Sequence, residues 1–197
     1  MSETKRLEEK VITIGSATGY LKEFSGTLPD VSEICQEEYR IGHTKNGASV
    51  KYEQTVTEVT DDLGEIKKTI VSDEKATMQL GLFGWNGNTL TKIISTAEVT
   101  SESGGKRVTE IGGIMNDNRK RYVLCLYHHD EEDGDCWWMG VGKNTEGLEL
   151  AYSQTDGTVA QPTFTCEPYN TSGRLLKYIE EIGTSGASGA SGEENAG

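Results

Sequence analysis

The chain has 197 residues with 19 basic and 32 acidic side chains, which give a formal net charge of -13. This length suits a single domain with a sizeable core. The acidic balance disfavours a protein that binds nucleic acid through Lys and Arg; it fits either ordinary solubility or a surface past which DNA slides without binding. The sequence contains no apolar run long enough to cross a bilayer and no signal-peptide pattern at its beginning, which predicts a soluble protein without a membrane partner.

The first part of the chain alternates charged and strand-like segments. Residues 1–10 are charged and are expected to form an arm, and order is expected to begin at Val11. Val11–Ile14 and Tyr20–Phe24 are rich in β-branched and aromatic residues, which predicts two strands. Three further pieces are expected in order: one helical turn between Pro29 and Ile34, an extended piece over Glu37–Ile41, and a polar turn over residues 42–47.

Residues 47–73 have the pattern of one long two-stranded hairpin. Ala48–Thr60 is rich in strand-forming residues, Asp61–Gly64 has turn chemistry, and Glu65–Val71 returns. At about 3.3 Å per residue this arm spans about 40 Å, against a radius of gyration of about 16 Å for a compact chain of this length. The alternative is an ordinary hairpin folded over its own core. We predict instead that the arm docks on another copy through Tyr52, Val56, Val59, Leu63, Ile66 and Ile70.

The segment after the arm predicts one strand and then one helix. Ala76–Phe83 alternates apolar and polar side chains, as a half-buried strand does. The apolar period then changes, and Asn88 is predicted to cap a helix over residues 88–97. This helix is expected to cover an open end or face of the sheets through Leu90, Ile93, Ile94 and Ala97.

The remaining chain predicts a run of short strands. Lys106–Ile111 is expected to form a short strand between loops, and Arg121–His128 has apolar groups on both faces, which predicts a central strand covered on both sides. The spacing favours a mainly β antiparallel sandwich or barrel with one flanking helix, in a single domain over residues 11–182. Residues 183–197 are rich in Gly, Ser and Ala and predict a flexible tail. Further strands are predicted at Cys136–Val141, Leu148–Tyr152, Thr163–Cys166 and Leu175–Ile179.

The sequence contains few residue patterns typical of catalytic or metal-binding sites. His128 and His129 beside the acids of residues 130–135 form the only local group with metal or acid-base potential, but the spacing fits no calcium loop, and we interpret the segment as a solvated turn. No nucleophile elbow or phosphate-binding loop is present, although abundant carboxylates leave a hydrolase open. We expect no metal, no cofactor and no enzymatic activity. Reduced thiols are favoured for the cysteines, which lack a CxxC pair: Cys35, Cys125, Cys136 and Cys166.

The tryptophans raise one alternative function. Trp85, Trp137 and Trp138 are candidates for an aromatic platform under a sugar ring. Adjacent residues of a strand point to opposite faces, so one of Trp137 and Trp138 is expected in the core and the other against a neighbour or solvent. An interface between copies accounts for an exposed tryptophan as well as a sugar does. A sugar-binding sandwich therefore stays the second hypothesis.

Several stretches, taken in order, carry a resemblance to a known family. They are Tyr20–Pro29, Ile41–Gly42, Lys45–Tyr52, Glu74–Leu80, Trp85–Leu90, Arg107–Gly113, Arg121–Val123, Val141–Tyr152, Phe164, Glu167–Pro168 and Tyr178–Glu181. Their order resembles that of the phage major tail protein, the tube subunit of long-tailed bacteriophages and of related prophage tails. The sequence departs from the simplest relatives in the heavy Cys136–Met139 strand and in the Gly/Ser/Ala tail.

The resemblance implies a structural protein of the virion, assembled in the host cytoplasm. In that family, hexameric rings stack into a hollow tail tube, and a long hairpin, here residues 47–73, contacts the adjacent ring. Acidic groups that face the channel repel phosphates and let genomic DNA slide toward the host cell. The implied partners are other copies of the chain, the tape measure protein, and the tail terminator and baseplate proteins. The tubes of genome-free phage-tail-like bacteriocins follow the same plan and stay an alternative.

Overall fold

The computed structural model describes residues 16–130, 134–150, 152 and 157–181. The chain is mainly β, and no helix in these ranges is long and apolar enough to cross a membrane. The helices are α1 (Val31–Ile34) and α2 (Gly87–Ile93). The strands are β1 (Thr18–Glu23), β2 (His43–Thr60), β3 (Lys67–Phe83), β4 (Ala97–Ser103), β5 (Lys106–Ile111), β6 (Tyr122–His128), β7 (Cys136–Asn144), β8 (Val159–Ala160), β9 (Thr163–Glu167) and β10 (Leu176–Glu180).

Eight of these strands form one antiparallel sheet that curls over its own core. Its main order is β1-β6-β7-β9-β3-β2, while β8 extends the pairing of β3. One edge of β7 holds two neighbours, because β10 pairs with residues 136–140 and β9 with residues 141–144. The curl brings β1 against β3, where Gly19 lies so close to Leu80 that a Cβ would clash. The predicted β-sandwich or barrel with one flanking helix is confirmed.

The main core fills the inside of the curl. Alternate residues of β3 point inward, and Met78, Leu80 and Leu82 are fully buried. Phe164 of β9, the cross-strand partner of Met78, packs beside them, and Leu124 of β6 belongs to the same cluster. Each such side chain stabilises the fold by about 1.5–3 kcal/mol relative to exposure.

A second cluster covers the outer face of β6. Val123 and Cys125 point outward and pack with Met139 and Val141 of β7. Ile34 of α1 lies over them and is fully buried. The prediction of a strand covered on both faces is therefore confirmed for β6, which lies between β1 and β7.

The observed helix α2 is shorter than the helix predicted over residues 88–97, and it begins one residue earlier, at Gly87. Asn86, not Asn88, is the cap, because its Oδ1 accepts a hydrogen bond from the Thr89 N–H at 3.0 Å. The helix ends at Ile93, and Ala97 is already the first residue of β4. Strand pairing with β5 overrides the helical period here, as tertiary contacts often override local propensity.

Two predictions fail between β1 and the arm. Glu37–Ile41 was expected to be extended, but Glu37–Tyr39 forms a 3₁₀ turn in which the Arg40 N–H donates to the Glu37 carbonyl at 3.2 Å. A polar turn was expected over residues 42–47, but residues 43–47 lie inside β2 instead. Asn46 and Gly47 adopt positive φ angles of 69° and 76° there, and the register shifts as in a β-bulge.

The strand expected over Leu148–Tyr152 is absent where the chain is described. Asn144 supplies the local hydrogen bonds instead: its Nδ2 donates to the Gly147 carbonyl at 2.6 Å, and its Oδ1 accepts from the Glu146 N–H at 3.3 Å. Leu148 and Leu150 pack against the core from this loop. The predictions for residues 1–10, Val11–Ile14 and residues 183–197 lie outside the described residues.

Candidate assembly surface

The predicted hairpin is present and leaves the body. β2 and β3 pair from His43 with Phe83 to Thr60 with Lys67. Every residue from 51 to 75 is exposed, whereas Ala76 is fully buried. The free part of each strand, ten residues long in β2, reaches about 30 Å at about 3.3 Å per residue. The hairpin does not fold over its own core.

The tip of the arm is an ordered turn. The Ile66 N–H donates to Asp61 Oδ1 at 2.8 Å, and the Asp61 N–H donates to the Ile66 carbonyl at 3.1 Å. Gly64 has φ of 70°, a conformation that favours glycine. Leu63 and Ile66 are 81% and 70% exposed on this turn, so the tip displays two apolar side chains.

A β-bulge divides the arm into two parts. Thr55 pairs with Asp73 and Val56 pairs with Val71, which leaves Ser72 as an extra residue. The Ser72 hydroxyl donates to the Thr55 carbonyl at 3.2 Å and accepts from Thr57 Oγ1 at 2.8 Å. Bulges bend a strand and increase its twist. Ser72 therefore sets the direction of the outer part of the arm.

The six predicted contact residues are divided between two faces and the tip. Side chains of paired residues share a face, so Val56 lies beside Val71, on the same face as Tyr52. Val71 was not among the predicted contact residues, although it lies directly opposite Val56. On the opposite face are Val59 and Ile70, and at the tip are Leu63 and Ile66.

Charged pairs on the arm are exposed and contribute little to its stability. Lys67 Nζ lies 3.1 Å from Glu58 Oε1, and the Tyr52 hydroxyl donates to Glu74 Oε2 at 2.8 Å. That hydrogen bond to Glu74 raises the pKa of Tyr52. Exposed ion pairs contribute little to the free energy of folding. In addition, none of the apolar residues from Tyr52 to Val71 joins a core cluster of the described chain. Such a hairpin is marginal alone.

The acidic turn after β6 is organised by Asp135. Its Oδ2 accepts from the Tyr127 hydroxyl at 2.6 Å, and its Oδ1 lies 2.6 Å from His129 Nδ1. Burial works to raise the pKa of Asp135, but these hydrogen bonds outweigh burial and lower the pKa. The described residues contain no group of three potential metal ligands. The prediction of a solvated turn holds for His129, which is exposed, but not for Asp135, which is partly buried.

The tryptophans of β7 face opposite sides, as expected, but both are partly buried, and neither is a fully buried core residue. Trp137 stacks on Tyr127 with ring centroids 5.5 Å apart, on the outer face of the sheet. Trp138 lies 4.8 Å from the Tyr178 ring, at an open end of the main core. A cavity of about 440 Å³ opens there, with walls that include Ala48, Val50, Leu126, His128, Trp138 and Tyr178. Trp85 packs partly buried against the core and forms no platform with them.

The cysteines are mainly small core residues. The described residues contain no disulfide, and Cys125, Cys136 and Cys166 are buried. Burial raises the pKa of the Cys166 thiol to about 12. Cys35 is half-buried beside the outer cluster.

The sequence was also compared with known proteins. No model of a protein family matches the chain. No curated protein matches it either.

Proposed function

We propose that this protein is a structural subunit that assembles with copies of itself into a hollow tube of the phage-tail kind. The single observation that carries the proposal is the arm, exposed over residues 51–75. An isolated two-stranded hairpin is marginal in water. An ordered hairpin with apolar groups on two faces and at its tip is best explained by a second surface that buries them.

The tube geometry is supported by the length of the arm. A reach of about 30 Å at about 3.3 Å per residue is enough to contact a subunit in an adjacent layer. Stacked hexameric rings, each held to the next by the arms, use this reach. A closed ring also covers sheet edges that a lone subunit leaves open.

The net negative charge of the chain supports the proposal of a channel through which DNA passes. A formal charge of -13 repels phosphates, so acidic groups on a channel wall let a nucleic acid slide. The same balance makes a sequence-specific grip on DNA unfavourable. On this proposal the protein is not an enzyme and belongs to a virion tail, where its partners are tape measure, terminator and baseplate proteins. A genome-free bacteriocin tube uses the same contacts.

Electron microscopy tests the proposal. Purified protein at increasing concentration, with and without the tail initiator complex, is examined by negative stain. We expect rings or tubes of uniform width. Globular monomers at every concentration, even with the initiator complex, would contradict the proposal.

One observation favours a second candidate, a sugar-binding module. Trp138 and Tyr178 line the cavity of about 440 Å³, and aromatic rings in such a cavity are suited to an apolar sugar face. Titration with a glycan panel should then change tryptophan fluorescence in a saturable manner, and a Trp138→Phe variant should weaken the response. An unresponsive panel removes this candidate.

A further inference from the structure

Two cysteines that are far apart in the sequence meet on the outer face of the sheet. Cys35 follows α1 directly, and its N–H donates to the Val31 carbonyl at 3.0 Å, which fixes its position at the end of the helical turn. Cys125 lies in the middle of β6 and is fully buried in the cluster that covers the outer face of this strand. Cys35 packs against the same cluster. The fold therefore brings two reduced thiols together.

The two thiols have different roles in their contact. The Cys125 thiol donates a hydrogen bond to the Cys35 sulfur, and the Trp137 indole N–H donates a second one to the same sulfur. Burial raises the pKa of both thiols. At Cys35 the two hydrogen bonds oppose this effect, whereas at Cys125 the neighbouring thiol adds to it. Cys35 is therefore the thiol of the pair that ionises first.

Solvent access also differs between the two thiols. Cys35 is partly exposed, whereas Cys125 has no exposed surface. The thiolate is the form that reacts with oxidants, and oxidation selects cysteines that solvent can reach. A small oxidant therefore reacts first at Cys35. The other two cysteines, Cys136 and Cys166, are both buried.

We propose that Cys35 and Cys125 are a disulfide site, in which Cys35 is oxidised by hydrogen peroxide and Cys125 then closes the bond. In the first step the Cys35 sulfur attacks the peroxide, the O–O bond breaks, and the products are a sulfenic acid on Cys35 and one water. In the second step the Cys125 sulfur attacks the Cys35 sulfur, an S–S bond forms and the S–O bond breaks. The hydroxyl group leaves with the Cys125 proton as a second water. The two thiols together lose two electrons, which reduce one peroxide.

The bond would join the end of α1 to the central strand. It closes the long loop between residues 35 and 125, and such a link restricts the unfolded chain. The oxidised chain should therefore unfold at a higher urea concentration than the reduced chain. In a reducing environment the two residues stay as thiols. The bond lies within one chain and involves no residue of the arm, so the inference does not depend on the proposed function.

Thiol counting on the full chain tests the proposal. The unchanged chain and three variants, Cys35→Ala, Cys125→Ala and the matched control Cys166→Ala, are treated with hydrogen peroxide, unfolded in urea and titrated with a thiol reagent. We expect the unchanged chain to lose two of its four thiols and its mass to fall by two hydrogen atoms. Dithiothreitol should restore both thiols. The Cys166→Ala control should also lose two thiols, because it keeps the pair.

The variants of the pair separate its two steps. Cys35→Ala removes the thiol that reacts first, so this chain should keep all its remaining thiols. Cys125→Ala leaves the sulfenic acid on Cys35 without a partner, and dimedone should label it there. A Cys35→Ala chain that loses two thiols overturns the proposal, because the bond then lies elsewhere.

Two results with the unchanged chain would also overturn the proposal. One is a gain of oxygen at Cys35 while Cys125 stays a free thiol, since the two sulfurs then fail to reach bonding geometry. The other is a dimer on a gel without reductant that disappears in Cys35→Ala, since Cys35 then bonds to another chain. Either result leaves the tube proposal standing.

Discussion

The arm and the central strand β6 are built from the same antiparallel pairing and differ in what covers them. All residues of β6 except Tyr127 are buried, between the inner core and the cluster under Ile34. Residues 51–75 of the arm are all exposed. Pairing shapes both regions, but only the first has burial to stabilise it. Substitutions in the body should therefore change stability, whereas substitutions in the arm should change assembly.

The largest expected effect is a loss of stability from a substitution in the buried core. Phe164→Ala removes the largest fully buried side chain of the core and should lower the free energy of unfolding by about 3–5 kcal/mol. Val59→Ala in the arm, where the side chain is 54% exposed, should change it by at most about 0.5 kcal/mol. Urea unfolding followed by tryptophan fluorescence measures both. Similar losses for the two variants would show that the arm is part of the stabilising core.

Alkaline pH should destabilise the body through its buried Cys166 thiol. Burial raises the pKa of Cys166 from 9.0 to about 12, so the folded chain keeps a proton that the unfolded chain releases above about pH 9. Stability is unaffected by this thiol below pH 9 and falls as pH rises toward 12. Between pH 8 and 10.5 the loss is about 2 kcal/mol. Urea midpoints of the unchanged chain and of Cys166→Ala should diverge over this range, and parallel curves would refute the assignment.

Shortening the arm should barely change stability. Replacing residues 56–72 with Asn-Gly joins the paired residues Thr55 and Asp73 by a two-residue turn and leaves every buried residue in place. We expect the free energy of unfolding to change by less than about 1 kcal/mol, because the removed residues bury little surface. A larger loss in urea unfolding would mean that the arm folds with the body.

The smallest expected effect on stability concerns the bulge. Deleting Ser72 keeps each cross-strand pair and removes only the extra residue, so stability should change by at most about 0.5 kcal/mol. The direction of the outer arm should change, since the bulge bends it. Assembly should then weaken more than in Ser72→Ala, which keeps the extra residue. Equal assembly by the two variants, compared by sedimentation, would show that the direction of the arm does not matter.

Most of the strands could be predicted from residue patterns, because apolar alternation in β3 and β9 and the two-sided apolar run in β6 report burial directly. The prediction of the helix was wrong at its C-terminal end. The apolar period of Leu90, Ile93 and Ile94 continues to Ala97, but pairing with β5 determines the backbone conformation there. The arm was recognised from composition, but its bulge at Ser72 and the contact at Val71 depend on register, which a strand pattern does not encode. The exposure of Ile114 and Met115 was missed because it is set by the fold.

Assembly of the shortened chain tests the central claim most directly. The unchanged chain and the chain with residues 56–72 replaced by Asn-Gly are compared by negative-stain microscopy at equal concentration, after urea unfolding has shown that both are folded. The account predicts tubes from the unchanged chain and only single rings or smaller species from the shortened one. Tubes of normal length from the shortened chain would contradict it.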